Sequence, residues 1–170
     1  MNQNTGNESN IVERFKAAIR DGAELHGTWR VEITRANGTL ESSVIKNIVL
    51  SGGLNFLASR AVANTASAMA YIAIGTVTAQ PSLGSTEFGE IARKIGAVAA
   101  SSNEVIILSN TWGGAADSLT GIALGSAVVA NHASSGQGTV LNISNSVNTT
   151  LQASDLLKLQ AEIRVGSHNL

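Results

Sequence analysis

The chain contains no cysteine. That excludes disulfides, thiol catalysis and thiolate metal sites together, and it suits assembly in a reducing cytoplasm. Proline occurs once, at Pro81, inside a turn-rich stretch that reads as a loop. Aromatic residues make up 4% of the chain, too few for a sugar-binding platform of stacked rings. Charged residues make up 14%, against roughly 25% in an ordinary soluble domain. Eleven Lys and Arg face twelve Asp and Glu, a formal charge of −1, with no basic block to neutralise a run of phosphates, which weighs against a nucleic-acid partner. Long apolar runs are missing too. The stretches Ile122 to Ala130 and Ala66 to Gly75 stop well short of the ~18 apolar residues of a spanning helix, so no membrane partner is expected. The opening MNQNTGNESN has neither the basic nor the apolar region of a signal peptide, and chance accounts for the sequons at Asn7, Asn37, Asn142 and Asn148.

What remains is a chain of 170 residues rich in Ala, Gly, Ser, Thr and Asn. Its length fits one domain with or without an arm, and such a domain buries roughly 70% of its unfolded surface. A surface this poor in charge fits self-assembly or a covering partner, or a Ser- and Asn-rich β-protein that stays soluble without charge.

Periodicity divides the chain. After a polar start, Asn10 can cap a helix with Glu13 three residues on, Val12, Phe15 and Ile19 share a face, and Gly22 supplies a stop. This amphipathic helix can pack on its own domain or dock as an arm on a neighbouring subunit. Residues 1–25 are therefore read as a flexible tail and helix, and residues 26–170 as a single β-rich domain. From Gly27 the period becomes two: Trp29, Val31 and Ile33 alternate with Arg30, Glu32 and Thr34, and Asn37-Gly38 offers the residues of a type I′ turn before Leu40 and Val44 return the chain. The strand runs on to Leu50. There Ser51-Gly52-Gly53 breaks it, and Leu54, Leu57, Ala58, Ala61 and Val62 recur at helical spacing, predicting a short helix from about Gly53.

Tyr71 to Gly75 is a short apolar run, as expected of a strand buried on both faces, and Thr76 to Glu87 is a loop. Strands follow at Ile91–Ala100, Val105–Trp112, Ser118–Val129 and Val140–Val147. The last is the clearest. Leu157, Leu159, Ala161, Ile163 and Val165 alternate with Lys158, Gln160, Glu162 and Arg164, so one face is buried and the other wet, and the mixed charges suit a sheet edge or a polar partner. The fold expected is mainly β: an antiparallel β-sandwich or barrel-like domain with an N-terminal amphipathic helix and one short internal helix.

No catalytic constellation emerges. His26, His132 and His168 stand alone, without a carboxylate at ligand spacing, so no metal and no cofactor is expected. Ser43-Val44-Ile45-Lys46 matches the Ser-x-x-Lys of acyl-transferring enzymes, but in a strand the serine and lysine point to opposite faces. Gly52-Gly53 and Gly113-Gly114 lack the lysine and spacing of phosphate loops and read as tight turns. Glu87, Glu90 and Arg93 offer two carboxylates and a cation. If residues 86–94 formed a helical turn, Glu90 and Arg93 would pair at i,i+3, and such a pair more often fixes a loop or crosses a subunit boundary than catalyses. Trp29 and Trp112 read as core or interface anchors.

The order Gly27-Thr28-Trp29-Arg30-Val31, an Asn-Gly hairpin, Lys46-Asn47-Ile48-Val49-Leu50-Ser51-Gly52-Gly53-Leu54, Tyr71-Ile72-Ala73-Ile74-Gly75-Thr76, a Pro/Ser/Thr loop, Glu90-Ile91-Ala92-Arg93 and a closing alternating strand resembles small virion structural proteins of tailed bacteriophages. It covers about residues 27–165, departing at Val77, where a second glycine is common in such proteins. The resemblance implies a non-enzymatic capsid decoration (cement) protein, assembled in the host cytoplasm and resident in the virion. Its implied partners are itself, as a homotrimer, and the major capsid protein, with no small-molecule substrate. Val12, Phe15, Ile19, Trp29, Glu90, Arg93 and Trp112, from the helix face, the ion pair and the two tryptophans, are the candidate interface residues. The alternative is a tail, neck or baseplate component, or an adhesin.

Overall fold

The computed structural model describes residues 23–60, 68–84, 88–101 and 105–167. The expected helix carrying Val12, Phe15 and Ile19 lies outside them, as do Glu87 and His168. In chain order the elements are β1 (Ala23–Thr34), β2 (Leu40–Lys46), β3 (Ile48–Val49), α1 (Ser51–Arg60), β4 (Tyr71–Gly75), β5 (Glu90–Ile95) and β6 (Ala97–Ser101). They continue with β7 (Val105–Gly113), β8 (Ala123–Leu124), β9 (Ser126–Ala130), β10 (Val140–Ser144), β11 (Thr149–Thr150) and β12 (Leu156–Ser167). The described chain is mainly β, with antiparallel sheets and one helix. β1 begins inside the stretch assigned to the arm.

One five-stranded sheet runs β2-β1-β12-β7-β6 and a second β3-β10-β9-β4-β5, while β8 and β11 pair separately. The alternating strand β12, expected at a sheet edge or against a polar partner, is the centre of the first sheet, paired with β1 from Ala23↔Ser167 to Thr34↔Leu156 and with β7 on its other side. Alternation reports one wet face, which a central strand of a half-solvated sheet shares with an edge.

The sheets are joined at both sides by strands that pass from one to the other. Asn47 alone separates β2 from β3, and Gly96 alone separates β5 from β6. The strand expected over Ile91–Ala100 is thus two, bent where the amide of Gly96 donates to the Ala70 carbonyl at 2.7 Å. Ser118–Val129, expected as one strand, is a turn followed by β8 and β9, with Ser118 and Gly121 at positive φ.

One core lies between the sheets. Trp29, Trp112, Leu157 and Leu159 meet Ile72, Ile74, Val129 and Leu141, and Leu119, Leu124, Val147 and Leu151 complete it. A second cluster, of Leu50, Ala73, Phe88, Val128 and Ile143, forms on the opposite face of the second sheet. Ile72 to Ile74 and all of β9 are therefore buried, as the apolar run at Tyr71 to Gly75 foretold.

The Ser51-Gly52-Gly53 break is a joint. The Leu50 amide donates to the Leu141 carbonyl at 2.9 Å and that of Ser51 to the Leu83 carbonyl at 3.0 Å. A Cβ on Gly53 would run into the backbone of Leu141, so glycine is what lets α1 lie against β10.

The hairpin turn differs from type I′. Gly38 has φ +83° while Asn37 keeps a negative φ; the Gly38 amide donates to the Arg35 carbonyl at 2.9 Å and the Arg35 amide to the Thr39 carbonyl at 2.8 Å. This is a type I turn closed by a glycine bulge, held by the Thr39 amide donating to Asn37 Oδ1 at 2.9 Å.

Candidate functional site

Glu90 and Arg93 meet, though in a strand rather than a helix. Residues three apart on a regular strand face opposite ways. Here Gly75 opposes Glu90 and Ile74 opposes Ala92, a register shift that leaves Ile91 as an extra residue and returns Glu90 and Arg93 to one face. Arg93 Nε donates to Glu90 Oε1 at 2.6 Å and Nη2 to Oε2 at 2.7 Å. The side chains are 4% and 6% exposed. Arg93 Nη1 also donates to the carbonyls of His132 at 2.6 Å and Gln137 at 3.1 Å, while the Gly136 amide donates to Glu90 Oε2 at 3.1 Å.

The pair therefore pins residues 131–139, the connection between β9 and β10. Burial opposes the Glu90 charge, but the Arg93 guanidinium and the Gly136 amide outweigh it and hold the carboxyl below its ordinary value. Both carboxylate oxygens are engaged, which suits them to fixing a loop and not to accepting a substrate proton. Beside them opens a groove of about 570 Å³, lined in part by Leu50, Leu83, Phe88 and Gln137.

Two further ionic clusters fasten backbone in the same way. Arg35 Nη1 donates to Asp155 Oδ2 at 2.8 Å and to the Thr150 carbonyl at 3.0 Å, and its Nε and Nη2 donate to Glu41 at 2.7 and 2.8 Å. The amides of Gln152 and Ala36 donate to Asp155, whose side chain is 1% exposed. The Gln152 amide, then the Arg35 guanidinium and the Ala36 amide hold the Asp155 carboxyl below its ordinary value against its burial. Arg35 in turn lowers Glu41, and both carboxylates raise Arg35. On the other side Lys94 Nζ reaches Asp117 at 2.7 Å and the Thr111 carbonyl at 2.9 Å, and lies 5.6 Å from the centre of the Trp112 ring. Burial opposes the Asp117 charge, and Lys94 with the Gly113 amide overcomes it.

Sequence reasoning missed both clusters. Arg35 and Asp155 are 120 residues apart, and no local pattern joins them. The signal present was weak: Asp155 directly precedes the alternating strand, where a carboxylate can collect loop amides.

Trp29 and Trp112 lie fully buried in the core, so whatever surface the protein uses is made by other residues. Ser43 and Lys46 occupy opposite faces of β2, across from Val31 and Thr28. His132 is exposed, and its Nδ1 accepts the Ser134 amide at 3.1 Å. Among the described residues no group of three or more His, Asp or Glu is placed to hold a metal ion, and no helix is long and apolar enough to cross a membrane. Comparison with protein-family models, curated proteins and solved structures gave no match.

Proposed function

We propose that this chain is a non-enzymatic structural protein of a phage virion, a decoration subunit that stiffens the head by covering capsid surface. In this reading the two sheets, face to face and joined at both corners, form a barrel-like sandwich acting as a rigid block. One observation carries it: three ionic clusters, around Glu90, Asp155 and Asp117, each bind the backbone of a loop or of the strand end beside one. Ionic groups used in this way make loops rigid, which suits a part that bears load. The low charge supports the reading as well, since a surface covered on assembly needs little charge for solubility. So does the order of strand, turn and helix residues that resembles small virion proteins.

Quantitative mass spectrometry of purified particles tests it. A copy number comparable to that of the major capsid protein is expected. A few copies per particle would move the chain to the tail, neck or baseplate, and none would end the virion reading.

A further inference from the structure

Four strands end the two five-stranded sheets: β2, β6, β3 and β5. Natural sheets protect such edges by shortness, bulges or charge. β3 is two residues long. The β6 pairing is broken by a register shift between Val98 and Ala100. The β5 pairing also shifts register, and Glu90, Arg93 and Lys94 lie along it. β2 has none of these devices along its middle. It pairs with β1 without a shift from Thr28↔Lys46 to Thr34↔Leu40, carries no proline, and is exposed at every position except Ile45.

The direction of its free backbone groups follows from the turn. The Arg35 amide bonds to the Thr39 carbonyl, so hydrogen-bonded pairs recur at every second residue onward, at Ile33/Glu41 and Val31/Ser43. The amides and carbonyls of Leu40, Ser42 and Val44 then face away from β1, and no described strand takes them. Leu40 and Val44 are 62% and 63% exposed, on the same face.

We propose that β2 is a self-pairing edge through which two copies of the chain join, antiparallel, about a two-fold axis at Ser42. Such an axis, normal to the sheet, keeps the outer faces on one side, so it passes through a residue and pairs outward groups with outward groups. Placed at Ser42, it sets Leu40 against the partner's Val44 and Val44 against the partner's Leu40, covering both exposed apolar side chains. It opposes Glu41 to the partner's Ser43, and no like charges meet. An axis at Ser43 would set Leu40 against the partner's Lys46, and one at Val44 would leave Leu40 unpaired. The contact is isologous, so it closes as a dimer with a continuous ten-stranded sheet, in place of the homotrimer that the resemblance implies. It rests on strand geometry and is independent of the virion reading.

The absence of cysteine makes the test clean, because one introduced thiol is the only thiol. With Ser42→Cys, the two copies' sulfurs lie across a hydrogen-bonded pair with Cα atoms about 5.5 Å apart, within disulfide reach, and mild oxidation should convert most of the protein to a covalent dimer. With Ser43→Cys the equivalent Cα atoms lie beyond the ~7 Å limit, and the yield should fall at least tenfold. Sedimentation should show wild type as a dimer and Val44→Pro as a folded monomer, since the Val44 amide has no partner among the described strands. A wild-type monomer at high protein concentration, or equal cross-linking of the two cysteine variants, would overturn the proposal. The former result would leave β2 to a strand from a different protein.

Discussion

The strands that bury Trp29, Val31, Leu157 and Leu159 in the first sheet turn Arg30 and Lys158 to solvent, whereas in the second sheet β9 buries every residue from Ser126 to Ala130. The difference lies in what covers the outer face. In the second sheet the cover is supplied by residues next to its own edge strands: Leu50 directly follows β3, and Phe88 stands two residues before β5. Among the described residues the first sheet has no such cover. Its outer face carries the charges, and its edge strand β2 is left open. A two-faced sheet can meet a partner through its wet face or its edge, while a sheet roofed by its own chain mainly contributes stiffness.

The sharpest way to break this contrast is to put the same carboxylate on both outer faces. Val128→Asp places a charge under Leu50 and Phe88, where it has no partner, and should cost about 4 kcal/mol or more in urea unfolding, enough to threaten folding. Gln160→Asp, on the outer face of the first sheet opposite Arg30, should cost about 1 kcal/mol or less. Similar losses at the two positions would mean that the second sheet is not roofed.

The next largest effect separates the charge pairs of the two sheets. Glu90→Gln leaves the Arg93 guanidinium buried without its carboxylate and should cost about 3 kcal/mol, with faster amide exchange in residues 131–139. The same pair sets a pH dependence. The folded Glu90 carboxyl titrates below its ordinary value of 4.5, so in that range the unfolded chain binds more protons and stability rises with pH. The contribution is complete above 4.5 and is lost as pH falls through the folded value. Thermal unfolding between pH 6 and pH 3 should therefore fall less steeply for Glu90→Gln than for wild type. Equal slopes would remove Glu90 from the account.

The same contrast explains what the sequence made legible. Alternation in β1 and β12 reports a buried face and a wet one directly, and the compact run Tyr71 to Gly75 reports burial on both sides. Neither pattern says where a strand stands in its sheet, so the charges of β12 suit an edge or a polar partner, while the strand lies at the centre. Gly96 and Asn47, the two bends that carry strands between sheets, look locally like ordinary strand residues. The Glu90–Arg93 pair was legible as a pair but not in its geometry, because the bulge at Ile91 depends on the partner strand. Arg35 and Asp155 were out of reach, since their attraction exists only after the hairpin and the start of β12 have been brought together.

The smallest effect is the most discriminating about the wet face. Lys158 Nζ lies 3.2 Å from Glu32 Oε2, with side chains 48% and 24% exposed. Water screens such a pair and side-chain entropy offsets its attraction, so Glu32→Gln should cost no more than about 0.5 kcal/mol, and that little should vanish in roughly 1 M salt. Chemical denaturation at two salt concentrations measures it. A loss near that of Glu90→Gln would mean that the outer face of the first sheet is covered in solution, and that the protein associates through this face as well as, or instead of, the edge of β2.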